Sequence, residues 1–390
     1  MERVLTVGLE ARVVEREAAL ERAGAVGAGL WPNPAFEWQR ERASSGRRQG
    51  ESQDVLMASI PLVLSGRLGW ESEAARQGTQ AAEARLAWAR AELRHEATQA
   101  FATVLAARER QALLEESSAR LRSLAEAIAT RERAGDAAGY DRLRIELEAE
   151  AVRDALRGAS LDVRQAEAEA LRLLGPEVAS LPALQGSLGS ERPLPDGAAL
   201  LARLDERRGD VRALTHEASS AEAAQRAASR SWIPEPTVSV GTQLLDVGQP
   251  GAGGGYLVGV ALPLPLFDRQ QGEAARATAR RELAQARRAA LLYTARTRLS
   301  VLLEGVSARR ERLARHRAEV LARAEELRRI AATAYQGGSA DLLVLVDAER
   351  TAREARLATV ALAMSLREAE SDLLLLAGAY DGAASGSPPP

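Results

Sequence analysis

The chain contains no cysteine and no lysine among its 390 residues. The missing cysteine excludes disulfides, thiolate metal sites, a cysteine nucleophile and a lipid-bearing cysteine within this stretch. Aromatic residues are only 3% of the chain, too few to fill several conventional cores. No apolar run approaches the roughly 20 residues of a membrane-spanning helix. The opening stretch MERVLTVGLEARVVEREAAL is interrupted by charge throughout, so it does not read as a secretory signal. An excess of one charge is lacking as well. The 52 basic residues, all arginine, face 54 acidic ones for a net charge of −2, which excludes the basic footprint of a nucleic-acid binder. His95, His216 and His316 stand too far apart for a metal site and are expected at exposed or interhelical positions. The glycine run GAGGGY (251–256) lacks the Lys-Ser/Thr ending of a phosphate loop. With no nucleophile–base set and no cofactor fingerprint, the chain does not read as an enzyme, and no cofactor is expected.

What is present is alanine, leucine, arginine and glutamate. Apolar residues make up 46% of the chain, a mixture that belongs to long helices packed through small side chains. The second positive feature is an internal repeat. Pro32 and Pro34 of LWPNPAFEW recur as Pro234 and Pro236 of WIPEPTVSV, 202 positions later (234 − 32). Pro61 and Arg67 of ASIPLVLSGR recur as Pro263 and Arg269 of VALPLPLFDR at the same offset (269 − 67). Gly135 and Gly338 match more loosely, 203 apart (338 − 135).

Each copy follows one plan. A helix ends before the Pro-x-Pro, because proline disfavours helix at the residue before it. Two alternating segments follow. Phe36 and Trp38 oppose Glu37 and Gln39, and Val238, Val240, Thr242 and Leu244 oppose Thr237, Ser239, Gly241 and Gln243. Leu56, Ala58, Ile60, Leu62 and Leu64 share a face, as do Val258, Val260, Leu262 and Leu264. Period-two alternation predicts strands with one apolar face, about 10 residues each, the length of a tilted membrane strand. Polar, glycine-rich loops at 42–52 and 246–255 join them. A proline-free helical pattern then spans about 68–133 and again about 270–334, roughly 100 Å each at 1.5 Å per residue. Each ends at a glycine, and a second helix returns over about 139–174 and 341–378.

The expected organisation is therefore mainly α with a small β part in two tandem repeats. The segments are a first helix (1–30), hairpin 1 (31–66), helical hairpin 1 (67–174), a Pro/Gly-rich connector (175–197), a second opening helix (198–231), hairpin 2 (232–268), helical hairpin 2 (269–380) and a disordered tail (381–390). Four strands cannot close a barrel, and unpaired edges in lipid cost several kcal/mol per group. Three chains would supply twelve strands, an even number suited to an outer-membrane barrel, continued by an α-helical barrel.

This pattern resembles the TolC-type outer-membrane efflux proteins, in particular the outer-membrane components of heavy-metal and drug efflux systems. LWPNPAFEW is similar to that family's helix-to-strand junction. RRGDVRALTHEASSAEAAQRAASRSWIPEP (207–236) is similar to its second junction, with Gly209 where proline is usual. GVALPLPLFDR is similar to its second hairpin exit, and YQGGSADLLVLVDAERT (335–351) to the helical turn at the inner tip. The resemblance implies a homotrimer in outer-membrane lipid with a periplasmic helical tube. It also implies a periplasmic adaptor and an inner-membrane pump as partners. Because the first copy begins inside its first helix, an upstream segment with the export signal is expected to precede Met1.

At the tip, the resemblance implies that Asp141 pairs with Tyr335 to hold the entrance closed, while Gly135 and Gly338 mark the adaptor-contacting tips. The family's arginine in this network falls at Ala340. Of two aspartates that ring the entrance, one falls at Val344 and one is retained as Asp347, which in three copies makes an anionic ring favouring cations. The plainer expectations are that Tyr335 packs between helices and that Asp141 caps the returning helix. Metal cations, drugs and secreted polypeptides all suit a wide tube. A soluble or periplasmic coiled-coil scaffold also accounts for the helices, though not for two hairpins in phase.

Overall fold

The structure, a computed structural model, describes residues 2–6, 8–46, 51–134, 138–181, 184, 186–188, 196–246 and 253–380. The chain divides into two compact units. One unit comprises Glu17–Arg85 and Asp210–Leu291; the other holds the first 16 residues, Leu86–Gly209 and everything from Leu292 onward. These units cut across the expected segments, because each longest helix contributes residues to both.

The first unit carries the sheet. Its strands are β1 (Ala35–Arg42), β2 (Ser52–Pro61), β3 (Thr237–Asp246) and β4 (Gly253–Ala261). They lie in the order β1-β2-β3-β4, with every neighbouring pair antiparallel. Alternation places Phe36, Ala58, Val240 and Val258 in one cross-strand row, and Trp38, Leu56, Thr242 and Tyr256 in the next. On the opposite face, Glu37, Met57, Gly241 and Leu257 form one row, and Gln39, Val55, Gln243 and Gly255 another. The apolar face is the open one: Phe36 is 72% exposed, Val258 70% and Val260 68%. Six of the chain's thirteen aromatic residues, Trp31, Phe36, Trp38, Trp232, Tyr256 and Phe267, are exposed within or beside these strands. The helices of this unit are the end of α2 (Leu9–Gly24), the start of α3 (Arg67–Arg133), α7 (Gly209–Ala228) and the start of α8 (Gln271–Arg315). They bury Ala81, Ala82, Ala221, Ala223, Ala277 and Ala284. Small side chains let the backbones approach, and Ser220 of α7 donates to the Ala74 carbonyl of α3 at 2.7 Å.

The second unit is helical. It contains α1 (Glu2–Thr6), most of α3, α4 (Gly139–Leu174), α5 (Gly197–Ala202), α6 (Leu204–Arg207), the remainder of α8, a π-helical turn (His316–Leu321), α9 (Ala322–Gln336) and α10 (Leu342–Leu376). Leu114, Leu121 and Ile128 of α3 pack with Ile145, Val152 and Ala159 of α4 and Leu342 and Val346 of α10. Among the described residues the buried apolar side chains are Ala, Leu, Val and Ile, with no aromatic ring. Leu188, a buried residue of the connector, packs with Ala102, Leu313 and Val360.

Three sequence expectations need correction. The first helix, expected over 1–30, ends at Gly24 with α2 and is followed by turns. The opening helix of the second copy, expected unbroken over 198–231, is three helices, α5, α6 and α7. Asp196 caps the first by accepting from the Ala198 amide, and Arg203 and Arg208 leave helical geometry at the breaks. Arg208 is buried over the Trp88 ring, 4.6 Å from its centroid, and donates to the Leu376 carbonyl at 3.2 Å. That tertiary contact and the low helix propensity of Gly209 outweigh local propensity. The stretch 270–334 is likewise interrupted by the π turn, where the His316 ring lies 3.0 Å from the Ala355 carbonyl of α10. The loops' inner residues, most of 182–195, Gly135 and the tail 381–390 lie outside the described residues.

Ile145 is fully buried at the centre of the helical cluster. Ile145→Ala is expected to cost about 2–5 kcal/mol and Ile145→Val about 1 kcal/mol. Asp154→Ala, whose side chain is 83% exposed, should stay within about 0.5 kcal/mol. Thermal unfolding followed by the helical circular-dichroism signal checks the ranking.

Candidate entrance site and strand junction

The tip of the second helical hairpin is built by its glycine. Helix α9 ends in a Schellman turn: the Gly338 amide donates to Tyr335 and the Ser339 amide to Ala334, at 3.2 and 2.9 Å. The turn requires Gly338 at φ +74°, a left-handed conformation that costs a side-chain-bearing residue roughly 1–2 kcal/mol. Tyr335 is thereby fixed in the last turn of α9. Its ring packs on Leu342 and Val346 and on Ala331, Leu345 and Ala348.

The phenol of Tyr335 is met by Arg131 of α3, whose guanidinium donates to it at 3.3 Å. Among the described residues no hydrogen bond joins Asp141 to Tyr335. The expected Asp141–Tyr335 pairing is therefore not made within one chain. Nor does Asp141 cap α4: the cap position is Ala138, and Asp141 lies in the first helical turn, two residues past Gly139. What ties the start of α4 to the end of α3 is its neighbour Arg142, bridging Glu132 at 2.8 Å and Glu146 at 2.9 Å. Asp347 is exposed on α10, as is Val344.

Away from the tip, six charges close a ring across three helices. Glu116 and Arg120 come from α3, Glu325 and Arg328 from α9, and Glu349 and Arg356 from α10. Each carboxylate touches two guanidiniums. Arg356 bridges Glu116 at 3.0 Å and also Glu325; Arg328 bridges Glu325 at 3.1 Å and Glu349 at 3.5 Å; Arg120 bridges Glu349 at 3.3 Å and also Glu116. A groove of about 460 Å³ is lined by Arg120, Arg328 and Glu349 of this ring together with Tyr335 and Gln336. Burial alone would raise the Glu325 carboxyl, but the hydrogen bonds and charges of Arg356 and Arg328 hold it below its ordinary value. Glu116 is likewise lowered against burial by the charges of Arg120 and Arg356. Sequence reasoning missed the ring, since its members are spread over 240 positions (356 − 116) and only the local pairs 116/120 and 325/328 hint at it.

The second feature lies where strands meet helices. Pro32 and Pro34 precede β1, and Pro234 and Pro236 precede β3. Between the Pro-x-Pro prolines, Glu235 accepts from the Ser65 hydroxyl at 2.6 Å and the Arg67 guanidinium at 2.9 Å. Arg230 donates to the Ser65 carbonyl at 3.0 Å, and Arg226 lies over Trp70, 4.7 Å from its centroid. Gly66, at φ +70°, lies where a Cβ would come within 2.8 Å of the Arg230 guanidinium. The hydrogen bond that Arg67 donates to Glu235 holds the Arg67 guanidinium above its ordinary pKa. The histidines take interhelical places: His95 lies 2.9 Å from Ser371 and 3.3 Å from Asp372, and His216 lies 2.9 Å from Gln77. Burial and the charges of Arg212 and Arg76 lower the His216 pKa.

A sheet whose apolar face is its exposed face, carried on alanine-packed helices, defines a membrane β-protein with a helical extension. No helix among the described residues is long and apolar enough to cross a membrane. The family described as outer membrane efflux protein matches residues 8–176 and 200–379. The chain belongs to that family, and it serves as an outer-membrane efflux channel. It is 26% identical over 344 residues to the cobalt-zinc-cadmium resistance protein CzcC of Cupriavidus metallidurans, covering 88% of this chain and 80% of that one. It is 30% identical over 280 residues to the nickel-cobalt-cadmium resistance protein NccC of Alcaligenes xylosoxydans xylosoxydans, covering 68% of this chain and 60% of that one. The solved structure of the outer-membrane channel OprN shares its fold, with a TM-score of 0.78 and 21% identity over 97% of this chain and 88% of that one.

The lowered carboxyl of Glu325 fixes a sign. A depressed folded pKa adds stability above the ordinary value near 4.5, and that stability is lost as pH falls through the lower folded value. The helical unit should therefore lose thermal stability on acidification below about pH 4.5. Glu325→Gln should flatten that dependence while lowering the melting temperature at neutral pH, as read in melting curves from pH 7 to 3.

Proposed function

We propose that three copies of the chain close their sheets into one twelve-stranded barrel in outer-membrane lipid. Their long helices line a periplasmic duct that receives substrate from an adaptor and an inner-membrane pump. The observation that carries this reading is the sheet itself. Its apolar face is open, β1 and β4 are free edges, and an even number of alternating strands makes the β4 of one copy antiparallel to the β1 of the next. The scaffold reading leaves Val258, Val260, Phe36 and Trp38 in water with no function.

The cargo is a divalent transition-metal cation. The two metal-resistance relatives support this choice, and three copies of Asp347 on the exposed face of α10 would give the duct an anionic ring. Asp141 and Tyr335 belong to the closed entrance, with Arg131 as the cation of that group. Gly135 and Gly338 mark the tips that meet the adaptor.

The membrane-extracted protein should run as a heat-modifiable trimer and conduct in planar bilayers. Tyr335→Phe, Arg131→Ala and Asp141→Ala should each raise single-channel conductance; unchanged conductance in all three would reduce Tyr335 to a packing residue. Loss of the gene should sensitise cells to zinc, cobalt or cadmium at least several-fold. Sensitivity to organic drugs alone would overturn the metal cargo.

A further inference from the structure

The two hairpins are one hairpin built twice. Ala35 faces Ser59, and Thr237 faces Ala261; Phe36 faces Ala58, and Val238 faces Val260; Arg42 faces Ser52, and Leu244 faces Gly254. Every pair of the first hairpin has a counterpart in the second 202 positions on at both members (237 − 35 and 261 − 59). The β2–β3 seam is therefore a worked example of how one such hairpin adds to another. Its register sets Ile60 against Val238, Ser59 against Ser239 and Ala58 against Val240, and it ends with the Leu62 amide donating to the Pro236 carbonyl at 2.8 Å.

We propose that β4 joins β1 of the next copy in this same register, advanced by one repeat. The inference rests on the trimeric barrel proposed above and adds the seam that closes it. Leu262 then lies opposite the partner's Phe36, Ala261 opposite the partner's Glu37 and Val260 opposite the partner's Trp38. The Leu264 amide reaches the partner's Pro34 carbonyl. The side chains agree with the register. Leu262, Val260, Phe36 and Trp38 are all large, apolar and exposed, at 53%, 68%, 72% and 61%, and all four fall on the apolar face. A slip of one residue would turn that set onto the polar face.

The same mapping exposes a difference at the base of the seam. Within the chain, Ser65 and Arg67 are gathered by Glu235, with Arg230 donating to the Ser65 carbonyl. One repeat away these positions are Phe267, Arg269, Asn33 and Ala28. The carboxylate is missing, and Arg269 donates instead to its own Pro265 carbonyl at 3.2 Å. In place of the polar knot stands Phe267, 91% exposed, the most exposed of the large apolar side chains among the described residues. The between-chain seam is thus closed at its base by an apolar contact: Phe267 covers the partner's Ala28, Leu30 and Trp31.

Because the chain has no cysteine, introduced cysteines test the register without background. The pair Ala261→Cys with Glu37→Cys lies on the polar face and is opposed in the proposed register. The pairs Ala261→Cys with Ala35→Cys and Ala261→Cys with Gln39→Cys are displaced by two residues. Opposed Cβ atoms are about 4.5–5.5 Å apart, near disulfide range, whereas displaced ones are about 7–8 Å apart. The opposed pair should give covalent trimers on non-reducing gels at least tenfold faster than either displaced pair. Faster cross-linking of a displaced pair in intact trimers would overturn the register and leave the trimer standing. Failure of the unsubstituted chain to form trimers would remove the assembly itself. A gain-of-contact variant gives an independent reading. Asn33→Glu restores the missing carboxylate and should raise the temperature at which the trimer dissociates, Arg269→Ala should cancel that gain, and Phe267→Ser should lower it. No gain from Asn33→Glu together with no loss from Phe267→Ser would overturn the base contact.

Discussion

Lipid offers no hydrogen-bond partner to a peptide group, and the architecture follows from that fact. The outer edges of β1 and β4 carry rows of amide and carbonyl groups that water would satisfy and hydrocarbon would not. A chain that places an apolar face outward commits those edges to protein partners. The alternating order β1-β2-β3-β4 makes a second copy a chemically matched partner, since its first strand runs opposite to the last strand of the first. The same commitment explains where the aromatic residues went. Among the described residues no aromatic ring is buried outright, while Trp31, Phe36, Trp38, Trp232, Tyr256 and Phe267 flank or stud the strands, as membrane-interface residues do.

The helices answer a different demand. Their packing must be close, and alanine meets that requirement. Ala81, Ala221 and Ala277 bury little area each but allow backbone approach, as the Ser220 bond to the Ala74 carbonyl records. Alanine contacts are poor at selecting one rotation of a helix over another. Directional contacts do that, and in a chain without lysine they are arginine forks on carboxylates. The closed ring of Glu116, Arg120, Glu325, Arg328, Glu349 and Arg356 fixes α3, α9 and α10 against one another beside the groove that holds Tyr335. The three arginines are only 22–28% exposed, and an arginine already held by one carboxylate loses less freedom in meeting a second.

Most of the fold was legible because it rests on signals with a fixed period or a strict residue requirement. Prolines at 32, 34, 234 and 236 mark the passage from helix to strand, although the helices already end at Gly24 and Ala228, and the period-two alternation over 238–244 and the glycine at 338 each have one structural reading. The rest was not legible because it depends on which distant residue arrives. The break at Arg208 follows from a contact with Trp88 and Leu376, neither near it in the chain. At the tip of the second helical hairpin, resemblance singled out Tyr335 and assigned its partner to Asp141, whereas within the chain the structure brings Arg131 across from α3. Nothing in the stretch around Arg131 distinguishes it from Arg133, since both are arginines at the end of a polar helix.

The repeat offset separates what each half of the molecule tolerates. From Pro32 to Arg67 the offset to the second copy holds at 202 without a slip, although side chains differ as widely as Ser65 and Phe267 or Asn33 and Glu235. In a two-sided sheet one inserted residue would send every later side chain to the wrong face, so length is fixed while identity is free to change. The buried helix positions keep that offset from Ala82 and Ala284 to Val104 and Val306 but stand 203 apart beyond, at Leu121 and Ala324 and at Ile128 and Ala331, so the second copy has gained a residue within its long helix. An extra residue in an α-helix rotates everything beyond it by about 100°. The π turn at His316–Leu321, which has no counterpart in α3, widens one turn and takes up that residue, so that α9 still presents Ala331 and Tyr335 to α10. The strand half of the repeat keeps its phase by admitting no change of length, and the helical half keeps its phase by storing the change in a single wide turn.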